Sequence, residues 1–378
     1  MAFCSSFLSL KLPFIKLFLL LATVRGGVGQ SYTSVFSFGD SLADTGNTFF
    51  INKSCQCLFP PYGETYFQHP TGRCSDGLLV IDFIAESLGL PFLQPYLGIN
   101  NRSNATSIQE GVNFAVVGAT ALDVAFFEER GIYNVATNYS LRVQLDWFKQ
   151  ILPSLCNTSS KCNDMFERSV FVMGEIGGND YNYPFFLLRS IQEIRTFVPL
   201  VIQAIASAIK ELIDLGAVTL MVPGNLPIGC SAAYLTYYET ADKEEYDSET
   251  GCLTWLNKFS EYHNDQLQKE LTRIQALHPR TNIIYADYYN AAMRFYRSPT
   301  QFGFIGGTHT ACCGGGGPYN YNASAECGSN PLVRACDDPS QYVSWDGMHL
   351  TEAAYRLIAE AIIPQNVTAG YSYYYTSK

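Results

Sequence analysis

The chain has 378 residues, of which 47% are hydrophobic, and its 34 acidic and 24 basic side chains give a net charge of −10 at pH 7. This acidic balance excludes typical nucleic-acid-binding and anionic-membrane-binding proteins, because clusters of Lys and Arg drive binding to phosphate. The hydrophobic content is sufficient for a large core, and a single large α/β domain can reach this length.

Residues 1–29 have the pattern of a secretory signal peptide. Lys11 and Lys16 precede the apolar stretch 17–24, and small residues then lead to a cleavage site after Gly29. A membrane anchor is the alternative, but a spanning helix needs about 20 apolar residues and this stretch is far shorter. Cleavage would remove basic residues and no acidic ones, so the mature chain is predicted to be still more acidic.

The mature chain, residues 30–378, is predicted to be a single domain, since no repeat and no linker-like change in composition divides it. We expect no integral membrane segment after the leader, because no later stretch reads as long and apolar enough to span a bilayer. The predicted destination is the extracellular or cell-wall space, with the vacuole as the alternative.

Short apolar segments alternate with helical segments along the mature chain. In chain order, strands are predicted at the segment ending at Phe38, at 112–119, at the start of 169–180, at 217–224 and at 282–289. Helical spacing of apolar residues predicts helices at 77–89, 189–215, 252–277 and 351–363. The strand segments are runs of mainly apolar residues and do not alternate between apolar and polar, which indicates a parallel sheet buried on both faces. We therefore expect an α/β fold, a three-layer α/β/α sandwich of flavodoxin-like type with about five mostly parallel strands.

Twelve cysteines occur in the chain, and eleven remain after the leader. In a secreted protein they predict disulfides, and the odd number leaves at least one thiol unpaired. A Gly- and Cys-rich segment holds Cys312 and Cys313 close to His309. Zinc binding is an alternative there, but with Cys327 and Cys336 nearby disulfide pairing is favoured, and no metal site is predicted.

The chain contains seven N-x-S/T sequons, which mark acceptor sites for N-glycosylation in proteins of the secretory pathway. One sequon is a weak pattern, but seven behind a signal peptide predict a glycoprotein with these loops on its surface. The predicted glycosylation sites are Asn52, Asn101, Asn104, Asn138, Asn157, Asn322 and Asn366.

Polar residues follow predicted strands at three places, in the segments 40–41, 118–120 and 177–180. Ligands bind outside the carboxyl ends of parallel strands, so these segments are candidates for one site. A fourth polar segment precedes the last predicted helix and contains Asp346 and His349. Together they supply a nucleophilic serine, a histidine base, an acid to orient it and donors for an oxyanion. Taken singly, each segment also has a structural explanation as a turn or a cap.

No G-x-S-x-G motif occurs in the chain, which disfavours the α/β-hydrolase fold. The motifs FGDSLADTGN (38–47), GVNFAVVGAT (111–120), GGND (177–180) and DGMH (346–349) resemble those of the GDSL esterases and lipases, within the SGNH hydrolases, and specifically their plant secreted branch. They stand in the order of that family and extend over nearly the whole mature chain.

This resemblance implies a role for each matching residue. Ser41 would be the nucleophile, and its backbone N–H would be one donor to the oxyanion. Gly118 would supply a second backbone N–H, where a side chain would crowd the substrate carbonyl, and the amide of Asn179 would be the third donor. His349 would act as general base and then acid, and Asp346 would hold its ring.

The other polar residues of these motifs are assigned supporting roles. Asp44 and Asn47 are expected to brace the turn around Ser41 without taking part in catalysis. Among the remaining histidines, His309 is the strongest rival of His349, because its loop could approach the site. Aromatic residues make up 14% of the chain, and the loops 121–140 and 226–250 could line a substrate pocket.

The resemblance further implies hydrolysis of carboxylic esters through an acyl-enzyme, without metal or cofactor. The predicted partner is a small-molecule ester, most simply an acetyl or short-acyl ester of a plant metabolite. The rate should rise as His349 loses its proton, near pH 6.5 for an unperturbed histidine. An acyltransferase that uses the same serine is one alternative. A non-catalytic glycan-binding glycoprotein is another, and the complete set of catalytic residue types argues against it.

Overall fold

A computed structural model of the protein describes residues 32–99, 108–329 and 333–363. The predicted signal peptide and the sequons at Asn101, Asn104 and Asn366 lie outside the described residues.

The described residues contain one sheet of six parallel strands. They are β1 Ser34–Ser37, β2 Gln94–Pro95, β3 Gly111–Asn113, β4 Ser169–Val172, β5 Thr219–Pro223 and β6 Asn282–Ala286, in the spatial order β2-β3-β1-β4-β5-β6. All five predicted strands are present and parallel. The sixth strand is the two-residue edge strand β2. It was not predicted, because two residues are too few to show a periodic pattern.

Helices cover both faces of this sheet. In chain order they are α1 Thr48–Ile51, α2 Val80–Ser87, α3 Val124–Glu128, α4 Leu141–Leu155, α5 Ser159–Glu167, α6 Gly178–Phe186, α7 Ile191–Arg195, α8 Val198–Asp214, α9 Ala232–Tyr237, α10 Thr254–Leu277, α11 Tyr288–Arg297 and α12 Glu352–Ile362.

Two separate hydrophobic cores show why the fold has three layers. Successive strand side chains point to opposite faces, so Phe36 of β1 and Phe171 of β4 pack with α4, α5, α8 and α10 on one face. Val35 and Val170 pack with α2, α11 and α12 on the other face. Both faces of the central strands are therefore buried, and the predicted α/β/α sandwich is confirmed.

One described segment, Ile191–Asp214, is long and apolar enough by length and composition alone to cross a bilayer, with a mean hydropathy of 1.6. The prediction that no later segment would pass this test was wrong. Half of an 18-residue apolar stretch within this segment is buried inside the protein. Ile205 and Ile209 of α8 belong to the core beside the sheet, and α8 packs along α10. This burial is that of a core helix of the sandwich.

Four disulfides confirm the predicted use of the cysteines. They join Cys156 to Cys162, Cys230 to Cys252, Cys312 to Cys336 and Cys313 to Cys327. The Gly- and Cys-rich segment is therefore held by disulfides, as expected. The other cysteines of the described residues, Cys55, Cys57 and Cys74, are buried thiols, and the sulfurs of Cys55 and Cys57 lie 2.8 Å apart.

Four predicted glycosylation sites lie within the described residues. Asn52, Asn138, Asn157 and Asn322 are all exposed on the surface. Their exposure is compatible with glycosylation, which stays a prediction.

The buried imidazole of His263 should make the fold sensitive to acid. His263 is 1% exposed in α10; its Nδ1 lies 2.8 Å from Tyr181 Oη, and its Nε2 has no partner. Burial lowers the pKa of His263 to about 3. Between pH 6.5 and 3 the unfolded chain therefore binds a proton that the folded chain refuses, and stability falls as the pH falls.

When the pH falls from 7 to 4.5, the free energy of unfolding should decrease less in His263→Gln than in the original protein. The expected difference is on the order of 2–3 kcal/mol. Urea unfolding at both pH values measures this difference, with His69→Gln on an exposed loop as the control. Buried acids such as Asp180, whose pKa is raised to about 7, stabilise the fold as the pH falls. They are present in both proteins, so their effect cancels in the difference between them. An equal loss in both proteins would show that His263 does not carry this acid sensitivity.

Candidate active site

The centre of the sheet presents Ser41 just beyond the carboxyl end of β1. Since β1 lies between β3 and β4, the loops after these strands meet at the same edge. The chain turns at Gly39, which has φ of +144°; an added Cβ there would lie 2.9 Å from the carbonyl oxygen of Glu175. Gln144 of α4 fixes this turn by accepting from Gly39 N at 2.9 Å and donating to Gly39 O at 2.8 Å.

Asp44 and Asn47 brace the turn after Ser41, as predicted. The Asp44 carboxylate accepts from Asn47 N at 2.6 Å, from Thr48 Oγ1 at 2.7 Å and from Val117 N at 3.0 Å. Asn47 Nδ2 donates to the carbonyl oxygens of Asn113 and Ala115, both at 2.9 Å. The two side chains therefore tie the loop that carries Ser41 to the loop that carries Gly118.

His349 lies between Ser41 and Asp346. Its Nε2 is 2.8 Å from Ser41 Oγ and its Nδ1 is 2.6 Å from Asp346 Oδ2. Asp346 Oδ1 also accepts from the backbone N–H of Met348 at 2.9 Å and of His349 at 2.7 Å. Thr351 then caps α12 by accepting from Ala354 N. Because the chain turns tightly between Asp346 and the start of α12, the carboxylate of Asp346 reaches both the backbone and the ring of His349, three residues later.

The charges of this pair favour an ionised Asp346 beside a basic His349. Burial opposes ionisation of Asp346, but the charge and hydrogen bonds of His349 outweigh it and lower the pKa of Asp346 to about 2. Burial likewise opposes protonation of His349, but the Asp346 carboxylate outweighs it and raises the pKa of His349 above 6.5. Tyr62 Oη donates to Asp346 Oδ2 at 2.7 Å, a contact that the sequence did not predict.

Gly118 and Asn179 lie on the other side of Ser41. The backbone N–H groups of Ser41 and Gly118 make no hydrogen bond to an acceptor in the described part of the chain. Asn179 Nδ2 lies 3.2 Å from Asp40 Oδ2 and 3.0 Å from the carbonyl oxygen of Ala119. Preorganised N–H groups of this kind stabilise an oxyanion when they point at one position.

The backbone conformation and surroundings of Gly118 give a further reason for a glycine there. Its φ is +78°, and an added Cβ would lie 2.8 Å from both Ala136 Cβ and Tyr183 Oη. Tyr183 Oη also donates to the Gly118 carbonyl at 2.7 Å. The positive φ and the contacts with Ala136 and Tyr183 exclude a side chain here, independently of the predicted crowding of the substrate carbonyl.

Ser41, Gly118, Asn179 and His349 line one cavity of about 200 Å³. Its walls include the apolar side chains Leu42, Val117, Leu226, Pro227, Ile228, Met348 and Leu350 together with Tyr234 of α9 and Tyr296 of α11. Of the two predicted pocket loops, 226–250 contributes its start, but no residue of 121–140 lines this cavity. That loop instead packs behind Gly118 through Ala136.

The rival histidine does not reach this cavity. His309 Nε2 lies 3.4 Å from Cys252 Sγ, and its ring packs 5.4 Å from the ring of Tyr296. Burial lowers the pKa of His309 to about 4. Because Cys252 is in a disulfide with Cys230, its sulfur is not a free ligand. All five residues predicted for the site come together, and His309 stays outside it.

Sequence reasoning missed three side chains that hold the site. Tyr62, Gln144 and Glu175 each contact a motif residue, but none stands in a pattern that marks it. Glu175 does occur two residues before the GGND motif, which was the one available signal for it.

The chain is similar to known proteins over most of its length. The profile of the GDSL-like lipase/acylhydrolase family matches residues 35–362. A GDSL esterase/lipase of Arabidopsis thaliana is 55% identical over 88% of this chain and 85% of its own length. A second one from the same plant is 53% identical over 96% of this chain and 92% of its own. The sinapine esterase of Brassica napus is 54% identical over 88% and 86%. The chain is a carboxylic ester hydrolase and belongs to the GDSL-like lipase/acylhydrolase family.

Proposed function

We propose that the protein hydrolyses small carboxylic esters through an acyl-enzyme on Ser41. The observation that carries this proposal is the continuous hydrogen-bonded chain from Ser41 Oγ through His349 to Asp346, with distances of 2.8 and 2.6 Å. In this arrangement neutral His349 accepts the serine proton at Nε2 as Oγ attacks the ester carbonyl. Asp346 orients the ring and stabilises the imidazolium that results.

The oxyanion of the tetrahedral intermediate would accept from the N–H groups of Ser41 and Gly118 and from the amide of Asn179. As the intermediate collapses, the ester C–O bond breaks and His349 returns its proton to the leaving alcohol. A water molecule then attacks the acyl-enzyme, with His349 again as base, and releases the carboxylic acid and Ser41. No residue of this scheme requires a metal or cofactor.

The dimensions of the cavity support a small acyl group. A volume of about 200 Å³, with Leu226 and Ile228 on its wall, suits an acetyl or short acyl chain. A relative at 54% identity is named for its action on sinapine, so sinapine is a further candidate substrate here. We propose small acylated plant metabolites as the substrate class.

The protein is proposed to act in the cell-wall space or in the vacuole, which it would reach through the secretory pathway. The predicted signal peptide and the exposed sequons at Asn52, Asn138, Asn157 and Asn322 support delivery to the cell-wall space or the vacuole. Tryptic glycopeptides from the protein secreted by plant cells would test the same proposal.

Release of p-nitrophenol from acetate, butyrate and palmitate esters tests the size of the acyl group. We expect the acetate and butyrate esters to exceed palmitate in kcat/KM by at least about tenfold, because the long chain does not fit the cavity. A fluorophosphonate probe should label Ser41, located by peptide mapping, and sinapine should protect it if it binds. Palmitate as the best substrate would overturn the short-acyl proposal. Transfer of the acyl group to an added alcohol at the expense of hydrolysis would instead identify an acyltransferase.

A further inference from the structure

A second carboxyl group lies beside the proposed oxyanion hole. Glu175 follows β4, is 5% exposed and lines the same cavity as Ser41. Its backbone oxygen accepts from Asp40 N at 3.0 Å. Its two carboxyl oxygens lie 3.0 and 3.1 Å from the position that a Cβ of Gly178 would take, so the start of α6 is built closely around this carboxyl group.

The carboxyl groups of Glu175 and Asp40 lie close enough for a hydrogen bond between them. Two carboxylates cannot form such a bond without a proton between them. Asp40 already accepts from Leu42 N at 3.0 Å and from Asn179 Nδ2 at 3.2 Å, which stabilises its anion. No N–H group of the described residues donates to the Glu175 carboxyl group. The proton therefore belongs on Glu175.

The surroundings agree with this assignment. Burial, and after it the charge of Asp40, raises the pKa of Glu175 well above its usual range. Asp180, at the start of α6, acts in the same direction. The phenols of Tyr181 and Tyr288, which also face Glu175, have their own pKa values raised by burial and stay neutral.

We propose that Glu175 is a positioning residue for the oxyanion hole, because its protonated carboxyl group donates to Asp40 and Asp40 in turn holds the amide of Asn179. This inference rests on the proposed function and deepens it. Asn179 Nδ2 has two hydrogens, and both already have a protein acceptor, Asp40 and the carbonyl of Ala119. The oxyanion must therefore compete with one of these acceptors for a hydrogen. When Glu175 donates its proton to Asp40, Asp40 becomes a weaker acceptor for the amide of Asn179, and the amide is easier for the oxyanion to recruit.

The same proton limits the negative charge near the reaction. With Glu175 neutral, the Asp40–Glu175 pair carries one charge next to the developing oxyanion. Loss of the proton would place a second negative charge there and raise the barrier by like-charge repulsion. The kcat/KM of the enzyme should therefore fall at alkaline pH as Glu175 ionises, in addition to rising at lower pH as His349 is deprotonated.

The test compares Glu175→Gln, Glu175→Ala and the parent enzyme over pH 5–10 with p-nitrophenyl acetate. Glutamine keeps a donor to Asp40 and cannot ionise, so its profile should lose the alkaline fall while the acidic limb stays. Alanine removes the donor and should lower kcat/KM about 10²-fold at pH 7.5, the usual cost of one oxyanion-hole donor. Glutamine should restore most of what alanine loses. Glu261→Gln, at an exposed carboxyl group, controls for a general effect of charge.

An alkaline fall that persists in Glu175→Gln overturns the proposal, and so does a glutamine variant no more active than the alanine variant. If Glu175→Ala does not fold, the profile of the isosteric glutamine variant decides alone. Ser41→Ala, measured in parallel, separates this inference from the proposed function. Activity without Ser41 would refute the nucleophile, whereas an inactive Ser41→Ala beside a fully active Glu175→Ala would refute only the positioning role.

Discussion

Ser41→Ala should lower kcat/KM for p-nitrophenyl acetate by at least about 10⁴-fold, because alanine offers no oxygen to attack the ester carbonyl. Within the described residues, the hydrogen-bond partner of His349 Nε2 is Ser41 Oγ, at 2.8 Å. The small size of the change should leave the fold intact, which a thermal unfolding curve checks. Initial rates at saturating and subsaturating ester give kcat and KM separately, and the loss should fall on kcat.

A suitable control is Ser207→Ala on α8, an exposed serine that bonds only to the backbone of its own helix. It should keep the rate of the parent enzyme. The fluorophosphonate probe should label the control and fail to label Ser41→Ala. A folded Ser41→Ala enzyme that retains more than about one part in a hundred of the activity would remove Ser41 as the nucleophile.

Asp346→Asn should lower kcat/KM by on the order of 10⁴-fold and change the pH dependence as well. An amide in place of the carboxylate can donate to His349 Nδ1, which favours the tautomer that carries its proton on Nε2 and cannot accept from Ser41. The Asp346 charge also raises the pKa of His349. Without that charge the pKa falls, and because the base acts when unprotonated, the acidic limb of the profile moves to lower pH.

Rates from pH 5 to 9 measure both effects, and Asp337→Asn, an exposed aspartate close in the sequence, is the matched control. The parent enzyme should show its acidic limb above pH 6.5, in the direction that the raised pKa of His349 requires. A large loss of rate with no movement of that limb would contradict the proposed link between Asp346 and the charge of His349.

The strands show how far an apolar pattern predicts structure. The segment 112–119 is apolar except for Asn113, and β3 ends at that residue. The side chain of Asn113 accepts from Ala115 N and donates to Ala43 O, so the chain leaves the ladder toward the active site. The pattern predicted a buried strand correctly, and a single amide side chain decided its length.

The helices show a similar limit. The segment 189–215 predicted one helix, but the structure has α7 Ile191–Arg195 and α8 Val198–Asp214. Pro199 lies in the first turn of α8 and has no N–H for the carbonyl of Arg195, so the helix restarts there. The helix α4 Leu141–Leu155, which carries Gln144 to the turn at Gly39, was not predicted. Its contribution to the site is clear only once the packing is known.

The sequence by itself determined the layered fold and predicted the site residues Ser41, Gly118, Asn179, Asp346 and His349. Apolar runs, strand ends and ordered motifs are local features, and local features can be read along a chain. Tertiary structure alone decided that Tyr62 donates to Asp346 and that the carboxyl group of Glu175 lies beside that of Asp40. It also decided the disulfide pairing and the size of the cavity. These features depend on distances between segments that are far apart in the chain. Packing sets those distances, and the spacing of residues in the sequence does not reveal them.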